Sequence, residues 1–225
     1  MKNLNLRSLV VGPVMTNCYF LQNKETTELI LVDPGAEAER ISKMIEKLGK
    51  KPVAILLTHG HYDHMMAVNE LRQEWKIPIF ASKAEKETLS NPEINLSLEW
   101  EGRGYTVEAD EYLEDGQEIE LAGSKIRMYL TPGHTEGSCC YYFEEEELLM
   151  SGDTIFEGNL WKMRFARRKF CAECRLVFIK SLIIFRRKYK FIRDTEMKPV
   201  FVMKNHIILI YKKYQKRNLY DRHSI

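Results

Sequence analysis

The sequence has 225 residues, 44% of them hydrophobic and 29% charged, with a formal net charge of +2, which is room for one large domain, or one domain with an appendage, around a sizeable core. No apolar run reaches the ~20 residues of a membrane span, since 176–185 is cut by Lys180, and residues 1–13 lack the apolar block of a secretory signal, so a cytoplasmic protein is expected. Five cysteines, Cys18, Cys139, Cys140, Cys171 and Cys174, are an odd number in a mid-sized chain and point to reduced thiols instead of a disulfide framework.

In chain order, 4–11, 18–22 and 28–32 are short aliphatic and β-branched runs separated by turn segments, and predict an opening antiparallel meander. Residues 36–48 place Ile41, Met44, Ile45 and Leu48 at helical spacing and stop at Gly49, a pattern that predicts an amphipathic helix. The continuous apolar run 52–57 reads as a strand buried on both faces. A second helix over 64–76 and a strand over 78–81 follow. Residues 90–110, poor in large aliphatics, read as a surface insertion or lid. Four more strands are predicted at 118–121, 125–130, 139–143 and 148–150, with turns at Gly123 and 144–147. Alternating strands and helices imply an α/β domain.

Three polar clusters begin where apolar runs end: Thr58-His59-Gly60-His61-Tyr62-Asp63-His64, Thr131-Pro132-Gly133-His134-Thr135 and Ser151-Gly152-Asp153-Thr154. In an extended segment residues i and i+2 point the same way, so His59 and His61 can share one ion, while Asp63 and His64, beyond the turn, address a neighbouring position. Taken singly, Asp63 reads as a helix N-cap and His134 and Asp153 as turn residues. Taken together, four histidines and two aspartates at strand ends point to a metal site. Imidazole and carboxylate without thiolate favour zinc, iron or manganese with an open coordination position. Tyr62 packs as an aromatic body or hydrogen-bonds substrate, and Asp33-Pro34-Gly35 is a tight turn.

The His-x-His-x-Asp-His signature resembles that of the metallo-β-lactamase superfamily, and within it the small proteins similar to glyoxalase II. The resemblance covers residues 1 to about 158 and includes Gly12-Pro13, Thr16-Asn17-Cys18-Tyr19, Val32-Asp33-Pro34-Gly35, the Thr131 to Ser138 segment and Ser151-Gly152-Asp153-Thr154. It implies an αββα sandwich holding two metal ions, zinc by family expectation with iron or manganese as alternatives. His59, His61 and His134 would ligate the first, Asp63 and His64 the second, and Asp153 would bridge them. Two such ions share a water and hold it as hydroxide near neutral pH. That nucleophile attacks the carbonyl of a small thioester or ester, with Asp63 orienting it and the developing charge stabilised by a metal. Asp63 and Asp153 are thus the candidate catalytic carboxylates, and Asp33 would support ligands from behind. The superfamily also includes iron-dependent persulfide dioxygenases, an alternative reading, and a chain with an incomplete site would be inactive.

The resemblance stops near residue 159, and so does the composition. Residues 1–159 carry 15 Lys+Arg against 28 Asp+Glu, whereas 160–225 carry 19 against 4, and all 12 glycines lie at or before Gly158. The expected Gly-Arg-x-Asp-Leu-Pro-x-Gly loop and the later Gly-His-Gly that delivers the last ligand of the second metal are absent. Back-translation of residues 159–170 with chosen synonymous codons, read one base later, yields Ile-Tyr-Gly-Arg-Cys-Asp-Leu-Pro-Glu-Gly-Asn, which matches the missing loop. The expectation is therefore a domain over 1–159, a sandwich incomplete at its C-terminus, and a basic segment over 160–225 that arises from a shifted reading frame. A nucleic-acid-binding arm is disfavoured, because 182–185, 200–203 and 207–211 are too apolar for a solvated tail. The Cys171 and Cys174 pair lacks a partner pair. His206 follows the strand-like run 199–203, but the lack of flanking glycines disfavours it as a substitute for the missing ligand; His223 lies near the chain end.

Overall fold

The computed structural model describes residues 3–154 and the backbone of 200–203 and 206–209. Two six-stranded sheets form its frame. The first runs in chain order through β1 (Leu4–Val11), β2 (Thr16–Asn23), β3 (Glu28–Val32), β4 (Lys51–Leu56), β5 (Ile79–Ser82) and β6 (Glu111–Leu113). The second contains β7 (Glu118–Leu121), β8 (Ser124–Leu130), β9 (Cys139–Phe143), β10 (Leu148–Met150), β11 (Val200–Met203) and β12 (His206–Leu209), ordered β11-β12-β10-β9-β8-β7. The helices are α1 (Ala38–Lys47), α2 (Tyr62–Met65), α3 (Val68–Trp75), α4 (Lys86–Ser90) and α5 (Ser97–Glu101).

Period-two alternation divides the apolar residues between two cores. In β3, Leu29 and Leu31 join Phe20 of β2, Ile55 of β4, Ile41 and Ile45 of α1, and Val68 and Leu71 of α3, which builds the helix-covered face. Ile30 and Val32 point the other way, with Leu21 and Leu56, against Ile126, Met128, Tyr141, Phe143 and Met150 of the second sheet. Each fully buried large side chain stabilises the fold by about 1.5–3 kcal/mol. The Tyr141 hydroxyl donates to the Leu57 carbonyl at 3.0 Å and so satisfies a polar atom across the sandwich.

Strands β3, β4, β5 and β6 are parallel, so their carboxyl ends lie along one edge. In open α/β sheets that edge is where ligands bind. The predicted helix over 64–76 is two helices, α2 and α3. The Ala67 N–H leaves the helical ladder and donates to the Pro34 carbonyl at 3.1 Å, which ties the break to the turn after β3. Residues 90–110, predicted as a surface insertion, contain α5 and are pinned by polar side chains in place of aliphatics. Asn95 is fully buried, its Nδ2 donates to the Tyr105 carbonyl at 2.8 Å, and its own carbonyl accepts the Tyr62 N–H at 2.9 Å.

The register of β12 places position 206. β12 is parallel to β10, with Leu148 opposite Ile207 and Met150 opposite Leu209. His206 therefore sits at the amino end of β12, level with the turn before β10, whereas Asp153 follows the carboxyl end of β10. The ends of these strands are on opposite edges of the sheet. The 182–185 run, Cys171, Cys174 and His223 lie outside the described residues.

Gly35 shows how tightly the turn after β3 is packed on α2. A Cβ built on Gly35 would overlap the backbone carbonyl of Asp63. Gly35→Ala is expected to cost about 1–3 kcal/mol through overpacking, read as a lowered melting temperature. A metal-free protein of unchanged melting temperature would contradict this packing.

Candidate metal centre

Every sequence-predicted site residue within the first domain reaches the same edge of the sandwich. β4 delivers Thr58, His59 and His61; α2 carries Asp63 and His64; the turn after β8 carries His134; and the turn after β10 carries Asp153. The N-cap reading of Asp63 is excluded, because α2 begins at Tyr62 and its cap residue is His61, without a side-chain cap. Gly152 adopts φ +46°, and a Cβ there would overlap the Thr58 side chain, so a glycine is needed to bring Asp153 beside the first cluster.

The four imidazoles form one packed group. Ring centroids are 4.1 Å apart for His59 and His64, 4.4 Å for His61 and His134, 4.7 Å for His59 and His134, and 4.9 Å for His59 and His61. Two sets of ligand atoms converge: those of His59, His61 and His134, and those of His59, His64 and Asp153, each set within 4.8 Å. His61 Nδ1 and His134 Nε2 face one another at 2.8 Å. Asp63 is beside the second set without joining it: its Oδ2 lies 3.7 Å from His64 Nε2 and accepts from Thr16 Oγ1 at 2.9 Å.

A buried carboxylate behind the site decides how these rings are presented. Asp33, at the end of β3 with φ +51°, accepts the Thr58 N–H at 2.8 Å, the Thr58 hydroxyl at 2.6 Å and His64 Nδ1 at 3.1 Å. Because Thr58 Oγ1 gives its proton to Asp33, it can only accept from His59 Nδ1, 3.2 Å away. Both rings are thereby held with the proton on Nδ1 and a lone pair on Nε2. These two Nε2 atoms and Asp153 Oδ1 are buried without a hydrogen-bond partner. His64 Nε2 and Asp153 Oδ1 are 3.3 Å apart but not aligned for a hydrogen bond. Orphaned acceptors are costly in a protein interior, and cations ligated at this edge would satisfy all three.

The electrostatics agree with that reading. Burial, then the neighbouring His64, His61 and His134, hold the His59 imidazole well below its usual range. Burial and His134 push His61 down to about 4, so both rings are neutral, as metal ligation requires. At His64 burial works the same way, yet the carboxylates of Asp63, Asp153 and Asp33 outweigh it and hold the ring well above its usual range. Burial also opposes the charge on Asp153, and His64 overcomes it to keep that carboxylate below its usual range. The field that would hold a proton on His64 Nε2 holds a divalent cation in the same place. Nitrogen and oxygen donors without thiolate suit such an ion.

Beside the centre is a cleft of about 380 Å³, lined among others by Pro13, Tyr62, Asp63, Glu101 and Arg103. Burial, with Asp63 and Glu101, pushes the Tyr62 phenol up to about 12, so it keeps its proton. The sequence motifs include Thr16 and Thr58 without giving either a role, and they do not include Glu85. Their roles depend on contacts 25–50 residues distant in the chain, which no local spacing signals.

Comparison with known proteins agrees with this geometry. Residues 11–214 match the Metallo-beta-lactamase superfamily. The chain is 36% identical over 155 residues to the probable metallo-hydrolase YqgX of Bacillus subtilis, across 68% of this chain and 72% of that protein. Among solved structures it resembles the BLEG-1 B3 metallo-beta-lactamase, with TM-score 0.68, 32% identity and coverage of 80% of this chain and 86% of that one. It also resembles TTHA1623 in a di-iron-bound form, with TM-score 0.61, 26% identity and coverage of 79% and 85%. The α/β sandwich, the histidine and aspartate edge and these likenesses coincide: the chain belongs to the metallo-beta-lactamase superfamily, as a hydrolase of that fold with a divalent-metal centre.

Proposed function

We propose that the protein hydrolyses a small thioester or ester in the manner of the glyoxalase II-like subgroup, with zinc as its metal. The observation that carries the reading is the pair of buried, unpartnered Nε2 atoms on His59 and His64, each fixed by one carboxylate behind it. His59, His61 and His134 would hold a first ion, and His64, Asp63 and Asp153 a second. Bound there, the metal supplies a Lewis acid that polarises a carbonyl and makes a water nucleophilic near neutral pH. Asp63 keeps Oδ2 on the Thr16 hydroxyl, which leaves Oδ1 to accept a water proton and orient the attacking lone pair. Tyr62 remains a phenol donor at the cleft wall, where a carbonyl or leaving-group sulfur would lie. The cleft volume suits a small molecule. Iron is the competing metal, given some weight by the di-iron form of TTHA1623; one iron per chain with oxygen uptake on a persulfide would replace the hydrolase by an oxidoreductase.

The segment boundary is part of the same proposal. Residues 1–159 carry the domain's own sequence, and residues 160–225, although β11 and β12 extend the second sheet, derive from a shifted reading frame, as supported by the charge reversal, the loss of glycine and the back-translated loop. Sequencing the gene across this point is expected to reveal a one-base change that restores the Gly-Arg-x-Asp-Leu-Pro-x-Gly loop. A clean frame removes that part of the proposal.

Two variants test the chemistry. His61→Ala is expected to abolish retention of metal through chelation and dialysis and to lower thioester turnover roughly a hundredfold or more, since the ion supplies several kcal/mol and each 1.36 kcal/mol is tenfold. Turnover unaffected by this change refutes the reading. Asp33→Asn places an amide against Thr58 and His64, disturbs the tautomers of both rings, and is expected to weaken metal binding about 10–100-fold, measured by competition with a chromophoric chelator; affinity equal to that of the parent would show that Asp33 does not set these ligands.

A further inference from the structure

Glu85 ends the 3-10 turn Lys83–Glu85 that follows β5, and its side chain is 1% exposed. Its Oε1 accepts the Gly60 N–H at 2.8 Å and its Oε2 accepts the Thr135 hydroxyl at 2.9 Å. The Gly137 N–H and the Thr88 side chain also donate to it. Gly60 lies between His59 and His61, and Thr135 follows His134, so one carboxylate joins the two loops that carry the three-histidine group. The approach is close on both sides. A Cβ at Gly137 would overlap the Glu85 backbone nitrogen and Oε2, and one at Gly60 would meet Leu89 and Thr88 at 3.0–3.2 Å.

These donors are all neutral. Among the described residues no Lys or Arg pairs with Glu85, and burial alone pushes its carboxyl upward against the four hydrogen bonds. A buried charge without a counter-ion costs several kcal/mol, which the four hydrogen bonds offset only in part. A cation held by His59, His61 and His134 would be the missing counter-charge.

We propose that Glu85 is the positioning residue of the three-histidine group: it locks the loop of His59 and His61 to the loop of His134 at the spacing one ion requires, and its charge is balanced by that ion. The proposal rests on the reading of these histidines as metal ligands, and the measurements separate the two. Glu85→Gln keeps the shape and one acceptor but removes the charge and the second acceptor. Its zinc affinity, by chelator competition, is expected to fall about 10–100-fold, and the visible spectrum of the cobalt-substituted protein to change, while metal-free melting falls through the loss of one buried acceptor. In the metal-free variant, amide exchange at Gly60 or Gly137 is expected to accelerate. Glu85→Asp, charged but shorter, is expected to retain part of the affinity and serves in its place where Glu85→Gln does not fold. Affinity within twofold of the parent, or unaltered exchange at both glycines, overturns the positioning role and leaves the hydrolase reading intact. A parent protein that takes up no zinc overturns that reading, and the exchange data then decide the loop clamp.

Discussion

The site is organised by the carboxylate of Asp33, which is buried, carries no paired Lys or Arg among the described residues, and is satisfied by three donors: a backbone N–H, a hydroxyl and an imidazole N–H. A carboxylate in this position has only acceptor capacity, so every group touching it must present a proton. That requirement passes through Thr58 to His59 and directly to His64, and it ends in two Nε2 lone pairs aimed into one small volume. Without it, either ring could turn its N–H inward and the set would lose its common polarity. The strain of a non-glycine residue at φ +51° is consistent with the demand, since an aspartate tolerates the left-handed region better than most residues.

Topology brings the remaining groups to this carboxylate. Parallel β3, β4 and β5 place Asp33, the Thr58 segment and the Glu85 turn side by side at their carboxyl ends. The second sheet contributes from across the sandwich: the Cys139 N–H donates to the Thr58 carbonyl at 2.8 Å, and the Thr131 and Thr154 hydroxyls meet at 3.0 Å. Thr58 is thus bonded through its N–H and hydroxyl to one sheet and through its carbonyl to the other, so relative sliding of the two sheets would break the setting of His59. Close packing of Ile30, Val32 and Leu56 against Met128 and Tyr141 resists that sliding, which links core density to ligand geometry.

The strands and the ligand residues were legible because they follow local rules: alternation in 118–121, an aromatic run in 139–143, helical spacing in 36–48, and imidazoles and carboxylates bunched after apolar runs. What was not legible follows from distant contacts. The break between α2 and α3 depends on Pro34, some thirty residues earlier. The order of residues 90–110 depends on buried Asn95 and Ser97, polar residues that composition assigns to a surface. The place of His206 depends on which end of β12 it occupies, and strand direction in a sheet is not encoded in the strand's own residues. Asp33 was visible as a turn, but its command of two tautomers required Thr58 and His64 in space.

The two convergent sets differ in how much of the chain they need. His59, His61 and His134, with their supports Asp33, Thr58 and Glu85, are all supplied by residues before 139, and each support is itself buried and bonded. The second set shares His59 and adds His64 and Asp153, with Asp63 standing 3.7 Å from His64. It has two carboxylates for its two imidazoles, and Asp63 divides its attention between Thr16 and His64. Fewer imidazoles and a less fixed carboxylate make a softer cage, in which negative charge more than directed lone pairs draws the ion. Such a site loses more when salt screens its charge or protons compete for its oxygens. The three-histidine set, with His59 fixed from behind and its two loops tied through Glu85, is governed by geometry, and geometry is what the buried network around Asp33 and Glu85 preserves.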